Sequence, residues 1–172
     1  SFNVAVGYQA GTAVTTGVQN TLIGGLAGTA ITTGIENVLV GYAAGDALTD
    51  ADFNVAVGRA ALSSDTKGSK STAIGQGALN VQNFTTATDS YNVAVGFEAG
   101  IACTTGTANT LIGGDAGSAM TTGSGNVALG RSAMKGNSGA TTGNDNTALG
   151  ASAGFNITSG TNNTLLGHDA GR

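Results

Sequence analysis

The phrase Asn-Val-Ala-Val-Gly at positions 3 to 7 returns nine more times in a chain of 172 residues. The later copies begin at Asn20, Asn37, Asn54, Ser71, Asn92, Asn109, Asn126, Asn146 and Asn163, in steps of 17, 17, 17, 17, 21, 17, 17, 20 and 17 residues. A near-fixed period of this size leaves each unit too small for a core of its own, so units must stack to bury their apolar sides. The expected fold is all-β: a parallel β-solenoid, or β-roll, of about ten 17-residue coils forming one repeat domain over residues 1–172. The chain begins and stops partway round a coil, as expected for a fragment of a longer array.

Between the Asn and the Gly stand Val or Thr, then Ala or Leu, then an aliphatic residue (Val6, Ile23, Val40, Val57, Ile74, Val95, Ile112, Leu129, Leu149, Leu166). Such a run closed by glycine predicts a short strand. Neighbouring strand residues face opposite ways, so apolar residues at all three places predict burial of both faces. The third residue of each phrase is expected inside the coil. The second (Ala5, Leu22, Leu39, Ala56, Ala73, Ala94, Leu111, Ala128, Ala148, Leu165) is never charged and is expected to pack against another chain.

Every coil then reaches an Ala, such as Ala10, Ala27 or Ala44, mostly followed by the Gly of a tight turn. Thr12 to Thr16 and its counterparts, with Val14, Ile31, Leu48, Cys103, Met120 or Ile157 at a fixed place, predict a second strand. The Gly of Thr-Thr-Gly turns the chain back to the next phrase. Stacked at strand spacing, ten coils make a rod on the order of 50 Å long. Asn3, Asn20, Asn37, Asn54, Asn92, Asn109, Asn126, Asn146 and Asn163 then form an amide ladder that Ser71 breaks once. Residues 80–91 carry four extra residues and 134–145 three, and insertions in solenoids map to loops. Residues 1–45 match 90–134 at a shift of 89, as if a block of five coils had been duplicated.

Composition excludes several classes. Only 9% of residues are charged and 40% are hydrophobic, against the pattern of a disordered chain. Apolar residues come in runs of three, far short of a membrane span. Six basic residues spread over a chain of net charge −4 give no footprint for nucleic acid. The single cysteine, Cys103, cannot close an intrachain disulfide.

Asn146-Thr-Ala-Leu-Gly150 and Ser71-Thr-Ala-Ile-Gly75, with their small-residue turn and Thr-Thr-Gly return, resemble the repeats of trimeric autotransporter adhesin heads and of phage tail fibres. The similarity covers the whole chain. It implies a left-handed parallel β-roll in which three chains wind side by side, in an extracellular or virion-borne fibre. The 17-residue period is longer than is usual for adhesin heads, and the Gly-X-X-Ala-Gly turn is closer to phage-fibre and filament repeats.

No catalytic constellation can be assembled from fixed coil positions, and neither a catalytic site nor a cofactor is expected. His168, the only histidine, is expected to be an exposed turn residue, and Cys103 a buried small hydrophobe. The acidic turn Asp46 to Asp52 is a minor candidate for structural calcium, although the regular Gly-Gly-X-Gly-X-Asp of calcium rolls is missing. Sequons begin at Asn83, Asn156 and Asn162. The expected role is a shaft segment of an extracellular fibre that associates with copies of itself, any receptor or glycan being met by regions outside the fragment. The alternative is an adhesin head, with Tyr8, Tyr42, Phe97 and Phe84 of the 80–91 loop as candidate surface contacts. A remote alternative is ice binding through the paired threonines Thr15-Thr16, Thr32-Thr33, Thr104-Thr105, Thr121-Thr122 and Thr141-Thr142, a ladder that lapses at Asp50 and Lys67.

Overall fold

The computed structural model describes residues 2–136 and 140–172. These residues form a parallel β-solenoid with no helix among them. The phrases are the strands β1 (Val4–Val6), β2 (Thr21–Ile23), β3 (Val38–Val40), β4 (Val55–Val57), β6 (Thr72–Ile74), β8 (Val93–Val95), β9 (Thr110–Ile112), β10 (Val127–Leu129), β11 (Thr147–Leu149) and β12 (Thr164–Leu166). They stack in chain order as one 10-stranded parallel sheet. Register is kept rung for rung, Leu22 pairing with both Ala5 and Leu39, and Leu111 with both Ala94 and Ala128.

The strands are short because each is trapped between two conformations that extended chains avoid. The residue before the Asn is left-handed, as at Gln19 (φ 62) and Glu36 (φ 55), and the phrase glycine sits at φ 131 in Gly24 and 138 in Gly41. A side chain could not replace that glycine, since a Cβ on Gly41 would lie 2.5 Å from the Gly58 carbonyl oxygen one coil on. Turn hydrogen bonds run largely between coils, as from Leu26 N to Tyr8 O (2.8 Å) and Gly28 N to Ala44 O (3.0 Å). A coil therefore completes its backbone only when it is stacked.

The expected second strand does not form as a regular element. Thr15 N reaches Thr32 O at 2.9 Å and Thr104 N reaches Thr121 O at 2.8 Å, but these bonds sit in bends. Turns on both sides leave too little extended chain for a ladder. Among the described residues a second sheet occurs only beside the first enlarged coil, as the pair β5 (Gly68–Ser69) and β7 (Thr88–Asp89).

The expectation about strand faces is inverted. The second phrase residue is inside and the first and third are outside: Leu22 is 0% exposed while Ile23 beside it is 38%. Parity decides this. The ladder Asn must point inward to reach the Gly of its own return turn, so the residue two places on also points inward. Ala5, Leu22 and their equivalents thus fill the coil's own interior and are not the surface that meets another chain.

The core is this column, the turn alanines such as Ala27, Ala44 and Ala99, and Ile31, Leu48, Cys103 and Met120 from the far side. In several coils its volume is held by exchange between two positions, while Ala94 with Gly100 is small at both and Leu79 and Leu111 of the adjacent coils close on that glycine. Gly28, Gly45 and Gly117 stand against Leu22, Leu39 and Leu111, and a Cβ on Gly45 would meet Leu39 Cδ2 at 2.8 Å and Leu48 Cδ1 at 2.9 Å. Where the phrase carries Ala56, Ala73 or Ala128, the position of that glycine holds buried Leu62, Leu79 or Met134 instead. These adopt the same left-handed backbone, at φ 54, 49 and 48. Close packing thus outweighs an unfavourable backbone conformation of order 1 kcal/mol per residue.

Candidate functional site

The Asn ladder forms as expected. Asn20 Nδ2 donates to Gly34 O at 2.8 Å, and Asn20 Oδ1 accepts from Asn37 N at 2.9 Å and Asn37 Nδ2 at 3.0 Å. Asn109 repeats this geometry with Gly123 O (2.8 Å), Asn126 N (3.0 Å) and Asn126 Nδ2 (3.2 Å). The amide ties the start of a coil to its end and each coil to the next. Being buried, the rungs outweigh exposed hydrogen bonds, since an unmet partner could not turn to water.

At the Ser71 break the structure holds a buried polar cluster that sequence reasoning missed. Ser71 N still donates to Asn54 Oδ1 (2.8 Å), but Ser71 has no side-chain carbonyl to offer Asn92. Ser90 Oγ and Gln82 Oε1 replace it, accepting from Asn92 N (3.3 Å) and Asn92 Nδ2 (2.8 Å). Ser71 Oγ lies 2.6 Å from Ser90 Oγ and accepts from Gln82 Nε2 at 2.9 Å. Gln82 Nε2 also donates to Asp65 Oδ2 at 2.6 Å, while Asp65 Oδ1 accepts from Gly68 N (3.0 Å) and Phe84 N (2.9 Å). All of these side chains are buried. The signal was legible: Asp65 and Gln82 stand where Ile31, Leu48 and Cys103 stand in other coils, and both polar residues neighbour the broken rung. Ser90 stands near the end of the insertion that follows Asn80.

The candidate surface contacts divide. Tyr8, Tyr42 and Phe97 are exposed beside the sheet. Phe84 is not a surface contact, being 7% exposed with its ring against Gly68. Tyr91 at the end of the same insertion is exposed instead, its hydroxyl 3.3 Å from Lys70 Nζ and 3.2 Å from Asp89 Oδ2. The Lys70–Asp89 pair raises the lysine pKa and lowers that of the carboxyl, chiefly through the hydrogen bond between them. The insertion at 134–145 falls partly outside the described residues.

Among the paired threonines, the first member of each pair ties coils together, Thr15 Oγ1 donating to Thr32 O (3.0 Å) and Thr104 Oγ1 to Thr121 O (3.1 Å). Thr16, Thr33, Thr105, Thr122 and Thr142 are exposed. Asp50 and Lys67 interrupt that column as an ion pair of 3.6 Å.

The acidic turn does not converge. Asp50 faces Lys67, Asp52 Oδ1 accepts from Ile35 N at 2.8 Å, and Asp46 Oδ1 is buried without a partner, its carboxyl pKa raised by that burial. No cluster of His, Cys, Asp and Glu among the described residues is placed to hold a metal ion. Cys103 is buried as expected, and burial pushes its thiol pKa up to about 11. His168 is exposed, its Nδ1 3.3 Å from Asp169 Oδ2. No cavity opens among the described residues. Comparison with protein-family models, curated proteins and solved structures gave no match to this chain.

Proposed function

We propose that this chain is a structural segment of an extracellular fibre, of the kind found in phage tail fibres or microbial surface filaments, and not an enzyme. The observation that carries the reading is continuity along one axis. Ten strands repeat in register, and buried amide side chains bond coil to coil. Such a rod has its length set by coil number and its stiffness by hydrogen bonds parallel to its axis. The extracellular placement rests on the resemblance of the repeats, which also implies three parallel chains side by side. Immunogold labelling with antibodies to residues 2–172 tests the role. Gold along extended appendages of virions or cells is the expected result, and gold confined to the cell interior would overturn it.

A second reading, an adhesin head, is favoured by the exposure of Tyr8, Tyr42 and Phe97. Aromatic rings standing out from a rigid scaffold can stack on the apolar faces of sugars. Specific glycan binding by this chain, lost when the three are replaced by Ala, would favour the adhesin over the shaft.

A further inference from the structure

The outer face of the 10-stranded sheet is made entirely of the first and third phrase residues, and every one of them is Val, Thr, Ile or Leu. No charged, amide or glycine residue enters either column. Mid-rod these residues are half-buried to exposed, Ile74 at 38% and Leu129 at 41% among the more open. A solvated sheet face normally carries polar side chains, so an unbroken face of ten such rungs marks an interaction surface.

We propose that this face packs against the same face of a second copy of the chain, the two rods running parallel about a two-fold axis along their length. Area and charge both point to it. Ten rungs at about 4.8 Å by a strand region about 13 Å wide give roughly 600 Å² per partner, or about 1,200 Å² in all, the lower bound of specific stable interfaces. Charge sets the direction. The charged residues flanking the face on the side before the phrase are Glu36, Lys70 and Asp145, Lys70 being neutralised by Asp89, and those on the side after the phrase glycine include Arg59 and Arg131. Glu36, Asp145, Arg59 and Arg131 take no part in the ion pairs of the described residues. A two-fold along the rod sets each flank against the opposite flank of the partner. Glu36 of one copy then stands one rung from Arg59 of the other, and Asp145 one rung from Arg131. Turning one rod end for end sets like flank against like flank and aligns none of these pairs. Packing sheets lie about 10 Å apart, so three faces around a three-fold axis would each need a width of about 17 Å to meet, more than three strand residues supply, and the pair departs here from the three chains that the resemblance implies.

Sedimentation of the 172-residue chain tests this independently of any fibre role. The expected species has twice the 16.5 kDa chain mass. Ile74→Lys with Leu129→Lys, both outward, should give a monomer with an unchanged far-ultraviolet spectrum. Glu36→Arg should weaken association roughly threefold to tenfold at low ionic strength, and adding Arg59→Glu should restore it. Both changes suit their sites, since Lys70 and Gln76 occupy the equivalent positions in nearby coils. A wild-type monomer at about 100 μM, a trimer, a dimer indifferent to the two lysines, or a charge exchange that fails to restore pairing would each overturn the proposal. So would a monomer whose thermal hysteresis disappears in the lysine variants, which would make ice the occupant of the face.

Discussion

Gln82 Nε2 donates to Asp65 Oδ2 across 2.6 Å from one coil to the next, at a position where the flanking coils place the apolar Leu48 and Cys103. The pair extends to Ser71, Ser90 and Asn92, so the missing rung of the ladder is compensated by groups from three directions. Asp65→Ala and Gln82→Ala should each destabilise by about 3 kcal/mol, because each strands buried partners. The double variant should fall short of the sum by about 1–2 kcal/mol, since the second change removes a group already stranded by the first. Urea unfolding of the four proteins measures the coupling, and simple additivity would count against a shared cluster.

The intact ladder should be as sensitive. Asn109→Ala removes the acceptor of Asn126 N and the donor to Gly123 O, a loss of about 3 kcal/mol. Asn109→Asp should be worse despite its shape, because it turns an oxygen toward the Gly123 carbonyl. A thermal melt ranking Asp above Ala would show that the amide donor matters less than its short bond to that carbonyl suggests.

Size exchange between core positions predicts rescue. Gly45→Leu places a side chain against Leu39 and Leu48 and should destabilise by about 3 kcal/mol through overpacking. The backbone itself accepts leucine there, as Leu62 and Leu79 show at φ 54 and 49. Adding Leu39→Ala should recover at least half the loss, although Leu39→Ala alone opens a cavity and destabilises. A double variant no more stable than Gly45→Leu would place the strain in the backbone.

Gly41→Ala separates the opposite case, a glycine that nothing can replace. Its φ of 138, and the Gly58 carbonyl oxygen only 2.5 Å from where the alanine methyl would stand, leave no room, and about 3 kcal/mol should be lost. Equilibrium unfolding of this variant beside Gly25→Ala, where a Cβ meets only the Tyr42 ring edge at 3.4 Å, should show a small effect for the latter.

Cys103 gives a pH dependence. Burial holds its pKa at about 11 when folded against 9.0 ordinarily, so the neutral thiol is favoured by the fold. Its contribution to stability is intact below pH 9 and is lost as pH rises toward 11. Cys103→Val should remove that part of the alkaline loss in pH-dependent melts. Iodoacetamide should leave the native thiol unmodified at about pH 8, well below the folded pKa, and rapid labelling would show that the coil opens there.

The solenoid, the register and the ladder are all legible in the amino-acid order, because they follow from periodicity: equal spacing forces Asn over Asn and phrase over phrase. That order also held, in the inward Asn, the parity that places Leu22 inside and Ile23 outside, but three uncharged residues in a row conceal which face is which. Features that depend on closure of the coil emerge in three dimensions alone. Thr12 to Thr16 reads as a strand locally, yet turns at both ends leave it hydrogen-bonded to neighbouring coils without strand geometry. Phe84 reads as a loop aromatic, yet Asp65 holds its backbone and Gly68 leaves room for its ring. The polar cluster at Ser71 joins residues from three successive coils, so it appears only when they are stacked, since no one coil contains more than part of it.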